Sequence, residues 1–213
     1  MVFADRTHAG RELAAELLGL RHERPLVFGL PRGGIPVAAE VARGLDAPLE
    51  VLVVRKLGAP RNRELAVGAV AEGGTAIIDP GLAGRLGLSA RALERILARE
   101  ERELRRRVRR FRDDFAPAAV EGRTVLVVDD GLATGRSALA AMRSLRKRGA
   151  SRVILAVPVA APESVDALRD EADEVVCVEM PDDLWAIGFW YEDFRPTTDE
   201  EVAALLTQAA GGC

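Results

Sequence analysis

The chain has 213 residues, a formal net charge of −3 and 48% hydrophobic residues, enough to bury a sizeable core as one domain or one domain with an appendage. That balance sets up no global field for nucleic acid, and no apolar run reaches membrane-spanning length. Two cysteines, Cys177 and Cys213, give no disulfide framework, and His8 and His22 lie away from any Cys or His at ligand spacing, so a soluble cytoplasmic protein without a zinc site is expected.

Asp5 or Thr7 can cap a first helix that runs to about Leu20. Pro25 to Leu30 reads as a strand ending in Pro31-Arg32-Gly33-Gly34, with a helix through Val41 behind it. Leu49 to Val54 reads as the next strand and ends in Arg55-Lys56. Gly58 to Glu64 is polar, carries Gly and Pro, and is expected to be a flexible loop. Val67 to Ala71 and Thr75 to Ile78, joined by Glu72-Gly73-Gly74, predict a hairpin.

Ser89 to Arg112 predicts a long helix with an apolar stripe at Leu93, Leu97, Leu104, Val108 and Phe111. Ten arginines and four glutamates in that helix predict a solvated face laced with i,i+4 ion pairs, or a subunit contact, in preference to a nucleic-acid surface. Thr124 to Val128 predicts a buried strand, followed by Asp129-Asp130, a loop from Gly131 to Ser137 and a helix to Arg148. Strand Val153 to Val157, helix Pro162 to Arg169 and strand Glu174 to Val178 come next. Residues 181–196 hold five of the nine aromatics, and Thr198 with Glu201 forms a capping box for a last helix.

Strands alternating with helices predict an α/β fold: a mostly parallel sheet with helices on both faces. Ligands of such sheets bind outside the carboxyl ends of the strands. Three strands end there in polar loops, Arg32-Gly33-Gly34, Arg55-Lys56 and Asp129-Asp130, and these loops are expected to converge. The Gly131 to Ser137 loop before a helix makes an anion cradle with an acidic rim. It is not a Walker A loop, because Gly131 and Gly135 enclose three residues and Arg136 follows. No GxGxxG follows the first strand, which removes the dinucleotide fingerprint. A receiver domain would need a phosphoacceptor Asp and a Lys on later strands, and VILAVPVA ends without either.

VLVVDDGLATGRS, residues 125–137, resembles the phosphoribosyl-pyrophosphate (PRPP) motif of type I phosphoribosyltransferases. The resemblance implies that Asp129 and Asp130 accept hydrogen bonds from the ribose hydroxyls and reach Mg²⁺ through water. It also implies that Ala133, Thr134, Gly135, Arg136 and Ser137 wrap the 5′-phosphate. LPRGG resembles the pyrophosphate loop, with Arg32, Gly33 and Gly34 as its binding residues, and RKLGAP resembles the opening of the flexible catalytic loop of adenine-type members. Lys56, one of only two lysines beside 28 arginines, and Arg55 are then the catalytic candidates, stabilising the departing pyrophosphate. DLWAIGF is similar to the hood loop of 6-oxopurine members, which makes Trp185 the stacking residue and Phe189 its neighbour at the base.

On this resemblance residues 1–180 form the PRPP-binding core, with a helical insertion at about 80–115, and residues 181–213 form a hood and a C-terminal helix. The implied reaction transfers 5-phosphoribose from PRPP to a nucleobase-like acceptor and releases pyrophosphate, with Mg²⁺ arriving on the substrate and the protein acting as a homodimer. Members acting on 6-oxopurines carry an Asp two residues before the loop glycine, where this chain has Ala133. The missing acid leaves the acceptor open, and with it a second possibility, a PRPP-binding regulator on the same fold.

Overall fold

Residues 2–60, 62–112 and 117–211 are described by a computed structural model. In chain order the strands are β1 (Leu26–Gly29), β2 (Leu49–Val51), β3 (Val54–Ala59), β4 (Asn62–Ala71), β5 (Thr75–Ile78), β6 (Thr124–Val128), β7 (Arg152–Val159) and β8 (Glu174–Glu179). The α-helices are α1 (Arg6–Glu16), α2 (Gly34–Leu45), α3 (Pro80–Arg85), α4 (Ala90–Arg112), α5 (Arg136–Lys147), α6 (Pro162–Asp166) and α7 (Asp199–Ala210). Five strands make a parallel sheet in the order β2-β1-β6-β7-β8, and β3-β4-β5 make a separate antiparallel sheet.

Strands β1, β6 and β7 are buried almost end to end, as parallel strands covered on both faces must be. Alternate residues serve opposite faces. Phe28, Val125, Val127 and Leu155 pack with Met142 and Leu145 of α5. Val27, Leu126, Val128 and Ile154 pack with Leu13 and Leu17 and with Val37, Val41 and Leu45 of α2. The predicted α/β architecture is therefore observed. A third cluster joins Leu57, Val67 and Val70 of the small sheet to Ile96, Leu104 and Phe111 of α4 and Val202 of α7.

The apolar run 49–54, read as one strand, is divided between the two sheets. β2 ends at Val51 beside β1, and β3 starts at Val54 and pairs antiparallel with β4. Buried Leu52 and Val53 lie at the break. Arg55 and Lys56 consequently sit inside β3 instead of beyond a strand end. The expected flexible loop is likewise strand up to Ala59 and again from Asn62, which pairs with Ala59 in the antiparallel ladder and is exposed. Residue 61 of that stretch, and Cys213, lie outside the described residues.

The first helix ends at Glu16, and Leu18–Glu23 continue as a 3₁₀ helix. The helix expected to reach Arg169 stops at Asp166. The long helix, by contrast, runs to Arg112 as its stripe requires. Its polar face carries i,i+3 and i,i+4 pairs, Glu103 with Arg106 and Arg107 and Glu101 with Arg105. No described helix is long and apolar enough to cross a membrane.

Candidate functional site

A cleft of about 550 Å³ opens at the carboxyl ends of β1 and β6 and is closed on its other side by β3 and α4. The acidic pair stands where β6 ends. Asp129 Oδ1 accepts the Asp130 backbone N–H at 2.9 Å, and burial, with the Asp130 charge beside it, holds the Asp129 carboxyl above the usual carboxylate range. Asp130 is gripped from two sides: Arg6 Nε donates to its Oδ2 at 2.8 Å, and the Tyr191 hydroxyl donates to its backbone carbonyl at 2.6 Å. Burial, followed by the Asp130 charge, raises the Tyr191 phenol pKa, so it remains a donor.

In the next seven residues the Leu132 N–H donates to the Val159 carbonyl at 2.8 Å, and the backbone donors that follow it are left open. Gly135 caps α5 with φ +67°, a left-handed conformation that suits glycine, and no side chain caps the helix. Among the described residues the N–H groups of Ala133, Thr134 and Gly135 find no protein acceptor, and the hydroxyls of Thr134 and Ser137 have no partner. With the free N–H groups of the first turn of α5, this is an anion cradle. Two outside contacts hold its shape. Ser164 Oγ on α6 donates to the Ala133 carbonyl, and Arg136 Nη2 donates to Asp79 Oδ2 at 2.7 Å. The Leu82 N–H on Asp79, then the Arg136 contact, holds the Asp79 carboxyl below its ordinary range.

Gly34 opens α2 so close to the acidic pair that a Cβ on it would stand 2.7 Å from the Val128 carbonyl oxygen. Arg32 and Gly33 line the cleft, and the Pro31–Arg32 peptide is cis. Arg32 Nη1 lies 3.7 Å from Asp199 Oδ1 at the start of α7.

Opposite this loop, Arg55 and Lys56 also line the cleft. Arg55 places Nε and Nη2 on Glu100 Oε2 at 3.1 and 2.8 Å, and Arg99 Nε takes Oε1 at 2.9 Å. Burial works to raise the Glu100 pKa, but these bonds and charges outweigh it and leave the carboxyl below its ordinary value. Lys56 has no ion pair or hydrogen bond among the described residues, and its charge acts on Asp129.

The cleft thus brings together Arg32, Gly33, Arg55, Lys56 and the whole stretch from Asp129 to Ser137. It does not include the two aromatic candidates. Trp185 is 87% exposed and Phe189 76% exposed, and the hood residue on the cleft wall is Ile187, packed against Gly131. Sequence reasoning passed over Arg6, Tyr191, Ser164 and Glu100. Only Glu100 carried a signal, a carboxylate set into the apolar stripe of α4 at helical spacing from Leu93, Leu97 and Leu104. Among the described residues no third His, Cys, Asp or Glu joins the acidic pair in a metal-binding cluster. Two carboxylates without a third suit a magnesium ion that keeps its waters and is held mainly by substrate phosphates.

This fold, with its cleft at the strand ends, is that of the type I phosphoribosyltransferases. The chain belongs to the phosphoribosyl transferase domain family, whose pattern it matches over residues 4–193. It is 44% identical over 208 residues, 98% of its length, to two Mycobacterium tuberculosis proteins provisionally named phosphoribosyl transferase, from strains CDC 1551 and H37Rv. It spans about half of those relatives, 47% of their length. A uracil phosphoribosyltransferase of Lysinibacillus sphaericus shares 48% identity over 59 residues, 28% of each chain. The crystal structure of TT1426 from Thermus thermophilus superposes with a TM-score of 0.82 at 47% identity, covering 98% of this chain and 99% of that one.

Proposed function

We propose that this protein transfers the 5-phosphoribosyl group of PRPP to a ring nitrogen of a nucleobase-like acceptor. A C–N bond forms at the anomeric carbon, the C–O bond to pyrophosphate breaks, and the leaving group departs with the bonding electrons. The acceptor proton goes to solvent. The observation that carries this reading is the convergence in one cleft of an anion cradle, an acidic pair and a lysine, with Lys56 and the N–H groups of Ala133, Thr134 and Gly135 without partners among the described residues.

In this reading Ala133 to Ser137 hold the 5′-phosphate, and Asp129 and Asp130 accept the ribose 2′- and 3′-hydroxyls. Arg32, the Gly33 N–H, Arg55 and Lys56 surround the pyrophosphate, where negative charge develops as the bond breaks, while the Gly34 N–H holds the turn by donating to the Leu30 carbonyl at 3.0 Å. Asp129 and Asp130 would hold a magnesium ion through water, and that ion would supply further neutralisation of the diphosphate. Ile187 offers an apolar wall to the base. With Ala133 in place of an acid, and 59 residues similar to a uracil enzyme, pyrimidine bases head the panel of acceptors.

Purified protein with PRPP, Mg²⁺ and a panel of pyrimidine and purine bases is expected to yield one nucleoside monophosphate and equimolar pyrophosphate. Lys56→Ala is expected to slow turnover on the order of a hundredfold while PRPP binding changes less. PRPP binding with no pyrophosphate from any base would overturn the transferase and leave the PRPP-binding regulator, which the lack of an acid at Ala133 favours.

A further inference from the structure

The N-terminal segment and the hood meet at one guanidinium. Phe3 N–H donates to the Trp190 carbonyl at 2.8 Å, and Glu192 N–H donates to the Phe3 carbonyl at 2.8 Å, so the two segments run as one ribbon. Arg6 follows at the first position of α1, behind Asp5, whose side chain caps that helix. Its side chain is 11% exposed and makes three kinds of contact. Nε donates to Asp130 Oδ2 at 2.8 Å, Nη1 donates to the Arg195 carbonyl at 2.9 Å, and the guanidinium carbon stands 3.9 Å from the centroid of the Phe194 ring.

That anchoring leaves the fork no freedom to swing. One carboxylate oxygen of Asp130 is spoken for and the other is left for a ligand. The pyrophosphate loop rests on the same pair. A Cβ at Gly33 would lie 2.0 Å from Asp130 Oδ2 and 3.2 Å from Arg6 Nε, so the loop backbone, the carboxylate and the guanidinium are packed in mutual contact. Arg6 does not line the cleft, so it acts on a ligand only through what it holds.

We infer that Arg6 is the positioning residue of the PRPP site: it fixes Asp130 for the ribose hydroxyls and, through the Gly33 contact, sets the pyrophosphate loop at the matching distance. The inference rests on the PRPP reading above. A ligand that spans both ends depends on Arg6, whereas one held only by the Ala133 to Ser137 cradle does not. A lysine can reach the carboxylate but cannot also bond the Arg195 carbonyl and stack on Phe194, so it restores only part of the arrangement.

The test is calorimetric binding of Mg²⁺–PRPP and, separately, of inorganic phosphate to the wild-type protein, Arg6→Gln and Arg6→Lys. Arg6→Gln is expected to weaken PRPP about tenfold to a hundredfold, the loss of one charge-assisted hydrogen bond, with Arg6→Lys between it and the wild type. Inorganic phosphate is expected to bind all three alike. Should Arg6→Gln not fold, Arg6→Lys carries the comparison against the wild type. PRPP binding equal in variant and wild type overturns the role of Arg6 alone. Parallel loss of PRPP and inorganic phosphate also overturns it, because a general loosening of the site would do the same. Absence of PRPP binding by the wild-type protein overturns both the PRPP reading and this inference.

Discussion

Arg55 and Lys56 are neighbours in sequence and stand in different electrical surroundings. Arg55 is committed to Glu100, whereas Lys56 shares its charge with no ion-pair partner among the described residues. The motif exposed both residues to a reader of the sequence. The pairing of Arg55 with Glu100 was hidden because Glu100 comes 45 residues later, and only folding sets it beside Arg55. Glu100 has a folded pKa below its ordinary 4.5, so its contribution to stability is present above about that pH and is lost as pH falls through the lower folded value. Glu100→Gln removes that contribution and leaves Arg55 and Arg99 without their carboxylate. We expect a loss of about 1–3 kcal/mol near neutrality, narrowing toward zero in acid, read by denaturant titration at several pH values. A loss that stayed constant down to strongly acidic pH would show that the ion pair is not its source.

The long helix α4 is the element on which the second half of the cleft depends. Its polar face carries local pairs that the sequence spacing predicts, besides the Arg110 contacts to Asp199 and Glu200 of α7, and each such exposed pair contributes little. The Glu103 carboxyl, drawn down to about 2 first by Arg106 and then also by Arg107, belongs to that face. The apolar face is different. Ile96, Leu104 and Phe111 are buried against the small sheet and α7. Leu104→Ala is expected to cost about 2–5 kcal/mol in denaturant unfolding, and to disturb Arg55 because Glu100 lies one turn away. A cost below about 0.5 kcal/mol would mean that α4 does not pack there. The helix itself was legible, since its stripe has a period of about 3.6 residues. The division of the 49–54 run was not, because an unbroken apolar stretch carries no mark of where one sheet stops. In the structure Arg112 Nη2 reaches back 2.6 Å to the Val51 carbonyl, closing the end of β2 from the far end of α4.

At the scale of the molecule the cleft lies between two sheets, with the Gly131 to Ser137 loop on one and Lys56 on the other. A ligand that bridges them stabilises the folded state by mass action, by about 2.7 kcal/mol at a hundred times its Kd. PRPP with Mg²⁺ is therefore expected to raise the melting temperature, and chelation with EDTA to reduce the shift. No shift at saturating PRPP would count against the cleft as its site. The sequence by itself determined the parallel sheet, from buried runs such as Thr124–Val128, and the strand–loop–helix unit of the acidic pair, because the strand, the two carboxylates and the glycine-hydroxyl turn are contiguous and their chemistry is local. Tertiary structure alone decided what surrounds that loop. Arg6 on Asp130, Asp79 on Arg136, Glu100 on Arg55, and Ile187 at the wall in place of Trp185 all join residues far apart in the chain. Such contacts form only when separate elements bury their apolar faces together, and no local pattern announces which side chains that packing brings within reach.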